Sequence, residues 1–314
     1  MKTGFLFPGQ GSQCIGMGKD IYEKYEEAKN IYNKVKELTG IDIAEISFEG
    51  PEGKLNETKY TQLAILTMSL SILEILKNNN IAAEISAGLS LGEYTALIYS
   101  NALDLDEGIK IVQKRGQYMQ EFLPEGEWQM AAILGLEAEQ MEEVCKRVKS
   151  GFVAPANYNC TGQIVISGEK QAVLEVESIA KEMGAKKVSV LKTAGPFHTE
   201  KLIRSSEMFR KELDNIKIND FNSRVIKNLD AKEYSENDNV REILAKHIIN
   251  PVRFSNTLEL MINDGIDTFI EIGPGKTLSG FVKRMKQDKE INILNINNAQ
   301  SLENTIKFIK EVGC

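Results

Sequence analysis

Short apolar runs alternate along this chain with longer segments in which apolar and charged residues recur at helical spacing. The run TGFLF at 3–7 and the run EISAGLS at 84–90 predict strands, because each is too short for a buried helix. Segments 20–38 and 106–123 predict helices, and 61–79 is apolar on every side, which is typical of a buried helix. This alternation predicts an α/β fold with a mostly parallel sheet that is covered on both faces.

The order of elements changes between Glu125 and Gly195. Strands are predicted at 128–136, 151–159, 163–168 and 186–194, and helices at 137–150 and 170–185. That order, βαββαβ, is typical of a ferredoxin-like unit. We therefore expect a ferredoxin-like subdomain at 125–195, inserted into a large domain formed by 1–124 and 196–314. In the second part of that large domain, helices are predicted at 206–216, 239–250 and 305–312, and strands at 223–230, 267–273 and 291–297.

The composition is that of an ordinary globular protein, since 42% of the 314 residues are hydrophobic and 26% are charged. The formal net charge of −7 argues against a binder of nucleic acid or anionic membranes, because both partners favour clustered Lys and Arg. The first apolar run stops at Pro8, which is too early for a signal peptide, and no stretch approaches the roughly 18 apolar residues of a membrane span. We expect a cytoplasmic protein.

The cysteines and the first glycine-rich turn give no sign of a metal or a bound cofactor. Cys14, Cys145, Cys160 and Cys314 are scattered without a C-x-x-C pair, which favours reduced thiols. The turn FPGQGSQCIGMG at 7–18 lacks the Lys-Ser/Thr of a P-loop, and its glycines do not give G-x-G-x-x-G. We therefore predict neither a metal site nor a nucleotide site.

The segment GLSLGEY at 88–94 places Ser90 between two glycines, where the predicted strand turns into a helix predicted at 95–103. G-x-S-x-G is the pattern of a nucleophile elbow, in which a tight turn holds the serine hydroxyl exposed at the start of a helix. In such an elbow the backbone N–H of Leu91 would face a developing oxyanion. The same pattern also fits a plain turn in which Ser90 caps the helix.

A serine nucleophile needs a base, most often histidine, and the chain contains only His198 and His247. His198 lies in the loop GPFHTE at the exit of the predicted subdomain, whereas the pattern puts His247 in the middle of a helix. A loop at a domain junction is the better place for a base that must reach a cleft. The pattern therefore favours His198, although a lone histidine is more often a surface or hydrogen-bonded core residue.

Two further positions hold candidate binding groups. The glycine turn around Gln10 could present a backbone N–H to an oxyanion. Arg115 lies on the helix predicted at 106–123, but an arginine on a helix is usually solvated or paired with an acid. EIGPGKTLSG at 271–280 predicts a strand, a turn and a helix start, and by itself indicates no function.

Six motifs taken together give a more specific signal: FPGQGSQ, GLSLGEY, KRGQYMQ, GPFHT, NPVRF and EIGPGKTLSGFVKR. In order and spacing they resemble the malonyl-CoA:acyl carrier protein transacylases of bacterial fatty-acid synthesis and the related acyltransferase domains of polyketide synthases. The resemblance covers essentially the whole chain. It implies an α/β-hydrolase-like large domain into which the ferredoxin-like subdomain is inserted.

Carried over motif by motif, the resemblance implies roles for five residues. Ser90 would be the nucleophile that becomes acylated, and His198 would be its general base. Gln10 and Leu91 would supply the oxyanion N–H groups. Arg115 would hold the free carboxylate of the malonyl group in a bidentate pair, a geometry that a guanidinium provides and an ammonium does not.

Other positions matter for selectivity or depart from the family pattern. Phe197 resembles the malonyl-selecting residue of a Phe-His pair, and its bulk would disfavour branched acyl groups such as methylmalonyl. His247 stands where a glutamine is common, and would orient the catalytic histidine through its backbone carbonyl, which survives a change of side chain. Leu89 stands where a histidine is common, and Cys160 and Thr161 replace a Ser-Pro, with effects that the sequence leaves open.

The implied reaction moves a malonyl group from malonyl-CoA to the phosphopantetheine thiol of holo acyl carrier protein, through a malonyl-serine and with ping-pong kinetics. Coenzyme A then enters as part of the substrate and not as a cofactor. The alternatives are a stand-alone malonyl acyltransferase that serves a polyketide synthase, a serine hydrolase on the same elbow, and a non-catalytic acyl- or carrier-binding module. A binding module has no need of Ser90 and His198 together.

An acidic carrier protein needs a basic docking surface, and the net charge of −7 makes that surface local. Lys186, Lys187 and Lys192 flank the last predicted strand of the subdomain and are candidates for it. An equally good interpretation is that they are solvated lysines that protect an edge strand from aggregation.

Overall fold

The computed structural model describes residues 1–192, 195–285 and 290–312. Within these residues the strands are β1 (Thr3–Phe7), β2 (Ile85–Gly88), β3 (Trp128–Leu134), β4 (Val153–Cys160), β5 (Gln163–Glu169), β6 (Lys187–Val190), β7 (Arg224–Val225), β8 (Thr268–Ile272) and β9 (Asn292–Ile296). The helices are α1 (Lys19–Lys24), α2 (Glu26–Thr39), α3 (Ile43–Phe48), α4 (Glu52–Leu55), α5 (Thr58–Asn78), α6 (Gly92–Tyr99), α7 (Leu105–Glu121), α8 (Ala138–Arg147), α9 (Lys170–Glu182), α10 (Ile203–Leu213), α11 (Val240–His247), α12 (Phe254–Asn263), α13 (Thr277–Val282) and α14 (Ala299–Val312).

The large sheet has five parallel strands in the order β7-β2-β1-β8-β9. Successive side chains of β1 point to opposite faces, so Phe5 and Phe7 join one hydrophobic cluster and Leu6 joins another. α5 is the central helix of the first cluster, and every residue in 61–73 is buried. The predicted parallel α/β sheet and the predicted buried helix are therefore confirmed.

The carboxyl ends of β1 and β2 bring two turns together. Their register pairs Phe7 with Gly88, the last residue of each strand. β1 leads into the glycine turn that contains Gln10, and β2 leads into the turn that contains Ser90. Because β1 pairs with β2 on one side and with β8 on the other, the strand order reverses here. Open parallel sheets bind ligands at such a point.

The small sheet has four antiparallel strands in the order β4-β5-β3-β6. Its elements follow the chain order β3, α8, β4, β5, α9 and β6, which confirms the predicted βαββαβ succession. The edge strand β4 is also bonded to the large part of the molecule: the N–H of Tyr158 donates to the carbonyl of Val252 at 2.8 Å, and the N–H of Val252 donates to Ala156 at 2.9 Å. These bonds fix the small sheet beside the large one.

Some predicted elements are shorter in the structure. The strand predicted at 223–230 is only Arg224–Val225, because the chain then turns, with Ala231 in the left-handed region at φ 55°. The helix predicted at 95–103 ends at Tyr99, because Asn101 adopts φ 63°. Helices α3, α4 and α12 were not predicted from the sequence pattern.

The remaining boundaries differ by a few residues. Of the strand predicted at 186–194, residues Lys187–Val190 form β6, whereas Thr193 and Ala194 lie outside the described residues, as does Cys314. No helix in the described ranges combines the length and apolar character needed to cross a membrane.

Candidate active site

The turn after β2 holds Ser90 in a left-handed backbone conformation with φ 53°. A non-glycine residue adopts this conformation at a cost of about 1–3 kcal/mol, so the surroundings must hold it in place. The flanking glycines provide space: a Cβ on Gly88 would lie 1.9 Å from the carbonyl carbon of Gly92, and a Cβ on Gly92 would lie 2.0 Å from the carbonyl oxygen of Phe7. The turn therefore has the strand, the tight bend and the helix start that the G-x-S-x-G pattern predicted.

His198 lies against the hydroxyl of Ser90. Its Nε2 is 2.8 Å from the Ser90 Oγ, and its Nδ1 is 3.0 Å from the backbone carbonyl of His247. A carbonyl oxygen can only accept a hydrogen bond, so Nδ1 carries the proton and Nε2 presents its lone pair to the serine hydroxyl. Burial, and then the nearby charge of Arg115, lower the pKa of His198 to about 4. At neutral pH His198 is therefore an uncharged imidazole that can accept a proton.

Arg115 is a completely buried cation on α7. One guanidinium nitrogen donates to Oε1 of Gln62 at 2.7 Å, another donates to the Ser90 Oγ at 3.0 Å, and Nε has no hydrogen-bond partner. Among the described residues, no carboxylate lies within ion-pair distance of this guanidinium. A buried charge without a counter-ion is costly, and burial lowers the pKa of Arg115. The site is therefore electrostatically suited to an anionic ligand.

The glycine turn after β1 lies directly against the serine turn. A Cβ on Gly9 would lie only 2.4 Å from the carbonyl oxygen of Leu89, so glycine is required for this approach. In the part of the chain that the structure describes, the backbone N–H groups of Gln10 and Leu91 make no hydrogen bond to the protein, whereas the N–H of Ser90 donates to Oδ1 of Asn228 at 2.7 Å. Gln10 and Leu91 thus have free backbone donors beside the serine.

A cavity of about 220 Å³ opens over Ser90 between the two sheets. The small sheet and its flanking loop contribute seven residues to its wall: Met130, Ala132, Asn157, Asn159, Gln163, Val165 and Leu191. The side-chain oxygens of Asn157 and Asn159 are buried without a hydrogen-bond partner within the described ranges. An amide oxygen in that state can accept a hydrogen bond from a ligand without first losing another.

The other sequence-predicted residues are divided between this cavity and its surroundings. Phe197 and Leu89 line the cavity, next to His198 and Ser90. Cys160 and Thr161 do not line it: Cys160 is buried in the hydrophobic cluster of Val252, and Thr161 follows the last residue of β4. These two departures from the family pattern therefore lie outside the cavity wall.

His247 is the last residue of α11, so the prediction of a mid-helix position is wrong. The reason is that the helix stops before Asn250 and Pro251. The backbone carbonyl of His247 accepts a hydrogen bond from His198 Nδ1, and the His247 ring stacks on the His198 ring with centroids 4.9 Å apart. His247 Nδ1 lies 3.2 Å from Oε2 of Glu93, but the pair is out of line for a hydrogen bond. Burial lowers the pKa of His247 well below its usual range and raises the pKa of Glu93 to about 7.

Sequence reasoning missed four polar groups that surround the serine: Gln62, Glu93, Asn159 and Asn228. Gln62 was accessible to such reasoning, since its amide lies in the buried segment 61–73, whose other residues are apolar or carry only a small hydroxyl. Asn228 gave no signal, because it lies in a segment that the pattern assigned to a strand.

Comparison with known proteins places this architecture in a family. The model of the acyl transferase domain matches residues 4–307. The chain is 40% identical over 312 residues to the malonyl CoA-acyl carrier protein transacylase of Bacillus subtilis (strain 168), over 99% of this chain and 98% of that protein. It is also 39% identical over 292 residues to the protein of that name from Staphylococcus aureus (strain MSSA476), over 92% of this chain and 94% of that one.

Solved structures agree with that assignment. The crystal structure of malonyl CoA-acyl carrier protein transacylase from Clostridium perfringens ATCC 13124 matches with a TM-score of 0.94 and 44% identity, over 100% of this chain and 98% of that chain. A type II polyketide synthase acyl-carrier protein in complex with its malonyl-transacylase provides another match, with a TM-score of 0.93 and 32% identity over 98% of this chain and 100% of that chain. The chain belongs to the acyl transferase domain family.

Proposed function

We propose that this protein transfers the malonyl group of malonyl-CoA to the phosphopantetheine thiol of acyl carrier protein through a malonyl-serine intermediate. One observation carries the proposal: a serine and a neutral histidine 2.8 Å apart lie beside a buried arginine that has no carboxylate partner among the described residues. A malonyl thioester has both groups that this arrangement suits, a carbonyl for the serine and a free carboxylate for the arginine. The relatives named as malonyl transacylases support the same activity.

In the first half-reaction the Ser90 Oγ attacks the thioester carbonyl while His198 Nε2 takes the hydroxyl proton. The carbonyl oxygen becomes an oxyanion, which the free N–H groups of Gln10 and Leu91 stabilise. The C–S bond then breaks, coenzyme A leaves as the thiol after receiving the proton from His198, and Ser90 remains as the malonyl ester. The carbonyl of His247 keeps the proton of Nδ1 in place throughout.

In the second half-reaction the thiol of the carrier protein replaces coenzyme A. His198 removes the thiol proton, the sulfur attacks the ester carbonyl, and the C–O bond to Ser90 breaks as the proton returns to the serine oxygen. Both thiols end the same kind of pantetheine arm, so one cavity serves both half-reactions. The unpartnered oxygens of Asn157 and Asn159 are suited to accept the amide N–H groups of that arm.

The acyl selectivity follows from the same cavity. Arg115 pairs with the malonyl carboxylate, and an unsubstituted acyl group such as acetyl leaves that buried charge without a partner. Phe197 is buried in the cavity wall, so we propose that its ring restricts branching at the acyl carbon and favours malonyl over methylmalonyl.

We assign the domains as 1–124 and 196–314 for an α/β-hydrolase-like large domain and 125–195 for a ferredoxin-like subdomain. The parallel sheet with a serine elbow after β2 supports the first assignment. The βαββαβ succession with strand order β4-β5-β3-β6 supports the second.

We propose that the physiological acceptor is the carrier protein of fatty-acid elongation and that the protein acts in the cytoplasm. A carrier protein of a polyketide synthase is the second candidate, because a similar structure is a malonyl-transacylase in complex with such a carrier.

Of the three lysines that are candidates for carrier docking, Lys192 directly follows the cavity-lining Leu191. Lys186 and Lys187 lie at the other end of β6, about 13–17 Å from Leu191 at 3.3 Å per strand residue. Lys192 is thus the best placed of the three for docking.

The proposal is tested by measuring intact-protein mass after brief incubation with malonyl-CoA, for wild type and Ser90→Ala, and again after holo acyl carrier protein is added. We expect a malonyl adduct on wild type only, which discharges to the carrier faster than to water. Loss of the adduct to water at a rate that the carrier does not change would indicate a hydrolase. Stoichiometric binding without any adduct would indicate a non-catalytic binding module.

A further inference from the structure

The serine turn is held by a side chain from outside the turn, Asn228. Oδ1 of Asn228 accepts the backbone N–H of Ser90 at 2.7 Å, and Nδ2 of Asn228 donates to the carbonyl of Gly88 at 2.7 Å. One side-chain amide thus binds the residue before the bend and the residue at the bend. Both contacts are short for N–H···O hydrogen bonds, and Asn228 is completely buried, so water does not compete for them.

These two bonds continue the large sheet past the end of its edge strand. β7 pairs with β2 only at Arg224 and Val225, and the N–H of Ile226 then donates to Ser86 at 3.1 Å. Beyond that point the backbone after β7 turns away. The side-chain amide of Asn228 takes the place of a peptide group of β7. It bonds the next two hydrogen-bonding groups along the neighbouring segment, the carbonyl of Gly88 and the N–H of Ser90. The serine turn is therefore supported where no strand reaches it.

The backbone of Asn228 is itself held by hydrogen bonds. Its N–H donates to Oε2 of Glu93 at 3.3 Å, and its carbonyl accepts the N–H of Arg253 at 3.0 Å. Oε1 of Glu93 accepts the hydroxyl of Tyr234 at 2.6 Å. Every polar group of Asn228 is therefore bonded, so the amide has one orientation.

We propose that Asn228 is a positioning residue for the nucleophile: its amide holds Ser90 in the left-handed conformation that keeps the hydroxyl between His198 and Arg115. The proposal rests on the proposed function of Ser90. The unsupported turn would relax from φ 53° toward an ordinary conformation and move Oγ away from His198 Nε2. A displacement of about 1 Å between reacting groups costs about 100-fold in rate. The same bond also occupies the Ser90 N–H, which leaves the oxyanion to Gln10 and Leu91.

The test measures the rate of Ser90 malonylation by rapid quench and intact mass for wild type, Asn228→Ala, Asn228→Asp and a matched control. The control is Asn219→Ala, whose side chain also ties a turn, by bonds to Asn101 and Asp104, but does not line the cavity. We expect about 100-fold slower malonylation for Asn228→Ala, an intermediate rate for Asn228→Asp, which keeps the acceptor for Ser90 but loses the donor for Gly88, and the wild-type rate for the control.

A second measurement separates positioning from general structural damage. Affinity for malonyl-CoA is compared between Ser90→Ala and Ser90→Ala/Asn228→Ala, and we expect the two dissociation constants to agree within about twofold, since Arg115 and the cavity are retained. Malonylation at the wild-type rate in Asn228→Ala, or an equal loss of rate and affinity, would overturn the proposal. If Asn228→Ala does not fold, the same pair of measurements on Asn228→Asp decides. Absence of malonylation in wild type would instead refute the proposed function itself.

Discussion

The two sheets contribute different things to the candidate site. The large sheet supplies the turns of Gln10 and Ser90, which follow the buried, paired strand ends Phe7 and Gly88. The small sheet supplies the opposite wall, where Asn157 and Asn159 have side-chain oxygens without partners among the described residues. The comparison suggests that reacting groups are placed where their surroundings fix them, and ligand-binding groups where bonds are still free.

The largest effect is expected from the arginine on the large-sheet side. Arg115→Ala should lower kcat/KM for malonyl-CoA about 100-fold or more, because the substrate carboxylate would be buried without its partner. The rate with acetyl-CoA should change much less, so the preference for malonyl should collapse. Steady-state kinetics with both thioesters measure this ratio.

Arg115→Lys serves as the matched variant. It keeps the charge but not the bidentate fork, so most of the malonyl preference should also be lost. The midpoint of thermal unfolding should change little in Arg115→Ala, since the removal of a buried charge that has no described counter-ion offsets the cost of the cavity that the substitution leaves. An unchanged ratio of malonyl to acetyl turnover in Arg115→Ala would show that another group binds the carboxylate.

The next effect concerns pH. The pKa of His198 is lowered to about 4, first by burial and then by the charge of Arg115. The second-order rate constant of Ser90 malonylation, measured at low malonyl-CoA so that it reports the free enzyme, should therefore stay nearly constant from pH 8 to pH 5 and fall about tenfold per pH unit below pH 4. A fall already centred near pH 6.5, the ordinary value for histidine, would show that His198 is not held neutral by its surroundings.

Stability should respond over a different range. A histidine whose pKa is lowered by folding binds fewer protons in the folded state than in the unfolded state, so the free energy of unfolding decreases as pH falls below about 6.5. His198 and His247 both have lowered pKa values and should both contribute, whereas Glu93, whose pKa is raised to about 7, opposes them because its folded form gains a proton as pH falls below 7, so the effect is largest in Glu93→Gln. Chemical denaturation at pH 7.5 and pH 5.5 measures this difference, and the malonylation rate of the folded protein should be equal at the two pH values.

A smaller effect is expected from the wall on the small sheet. Asn159→Ala should raise KM for malonyl-CoA up to about tenfold with little change in kcat, because one hydrogen bond to the pantetheine arm contributes about 1 kcal/mol. A fall in kcat at unchanged KM would instead place Asn159 among the reacting groups and weaken the comparison between the two sheets.

Much of this arrangement could be predicted from the local sequence. The glycines around Ser90 indicated a tight turn because only glycine fits at both positions, and the structure places Ser90 in that turn. The apolar pattern indicated the buried helix and the alternating strands because burial imposes a period on the sequence. The order of motifs then indicated the family.

What the sequence did not reveal depends on contacts between distant segments. Asn228 bonds Ser90 across 138 residues, and a single asparagine in the mixed polar and apolar segment SRVIKNLD carries no local pattern that indicates such a contact. Arg115 looked like an ordinary helix arginine, because its burial depends on the packing of α7 against α5 and α10. The end of α11 at His247 was missed because a helix boundary depends on which carbonyls find other partners, here the ring of His198.

The smallest effect is expected for the side chain of His247, although it is completely buried on the large-sheet side and stacks on His198. In His247→Gln the backbone carbonyl still accepts from His198 Nδ1, and the glutamine amide can donate to Glu93, so the malonylation rate should stay within about threefold of wild type. His247→Ala should lower the free energy of unfolding by about 2 kcal/mol through the cavity it leaves, while the folded fraction reacts at a similar rate. If both variants fold and neither is malonylated, the His247 ring acts on His198 directly. The distance of a residue from the reacting groups, and not the sheet to which it belongs, would then decide its effect on the malonylation rate.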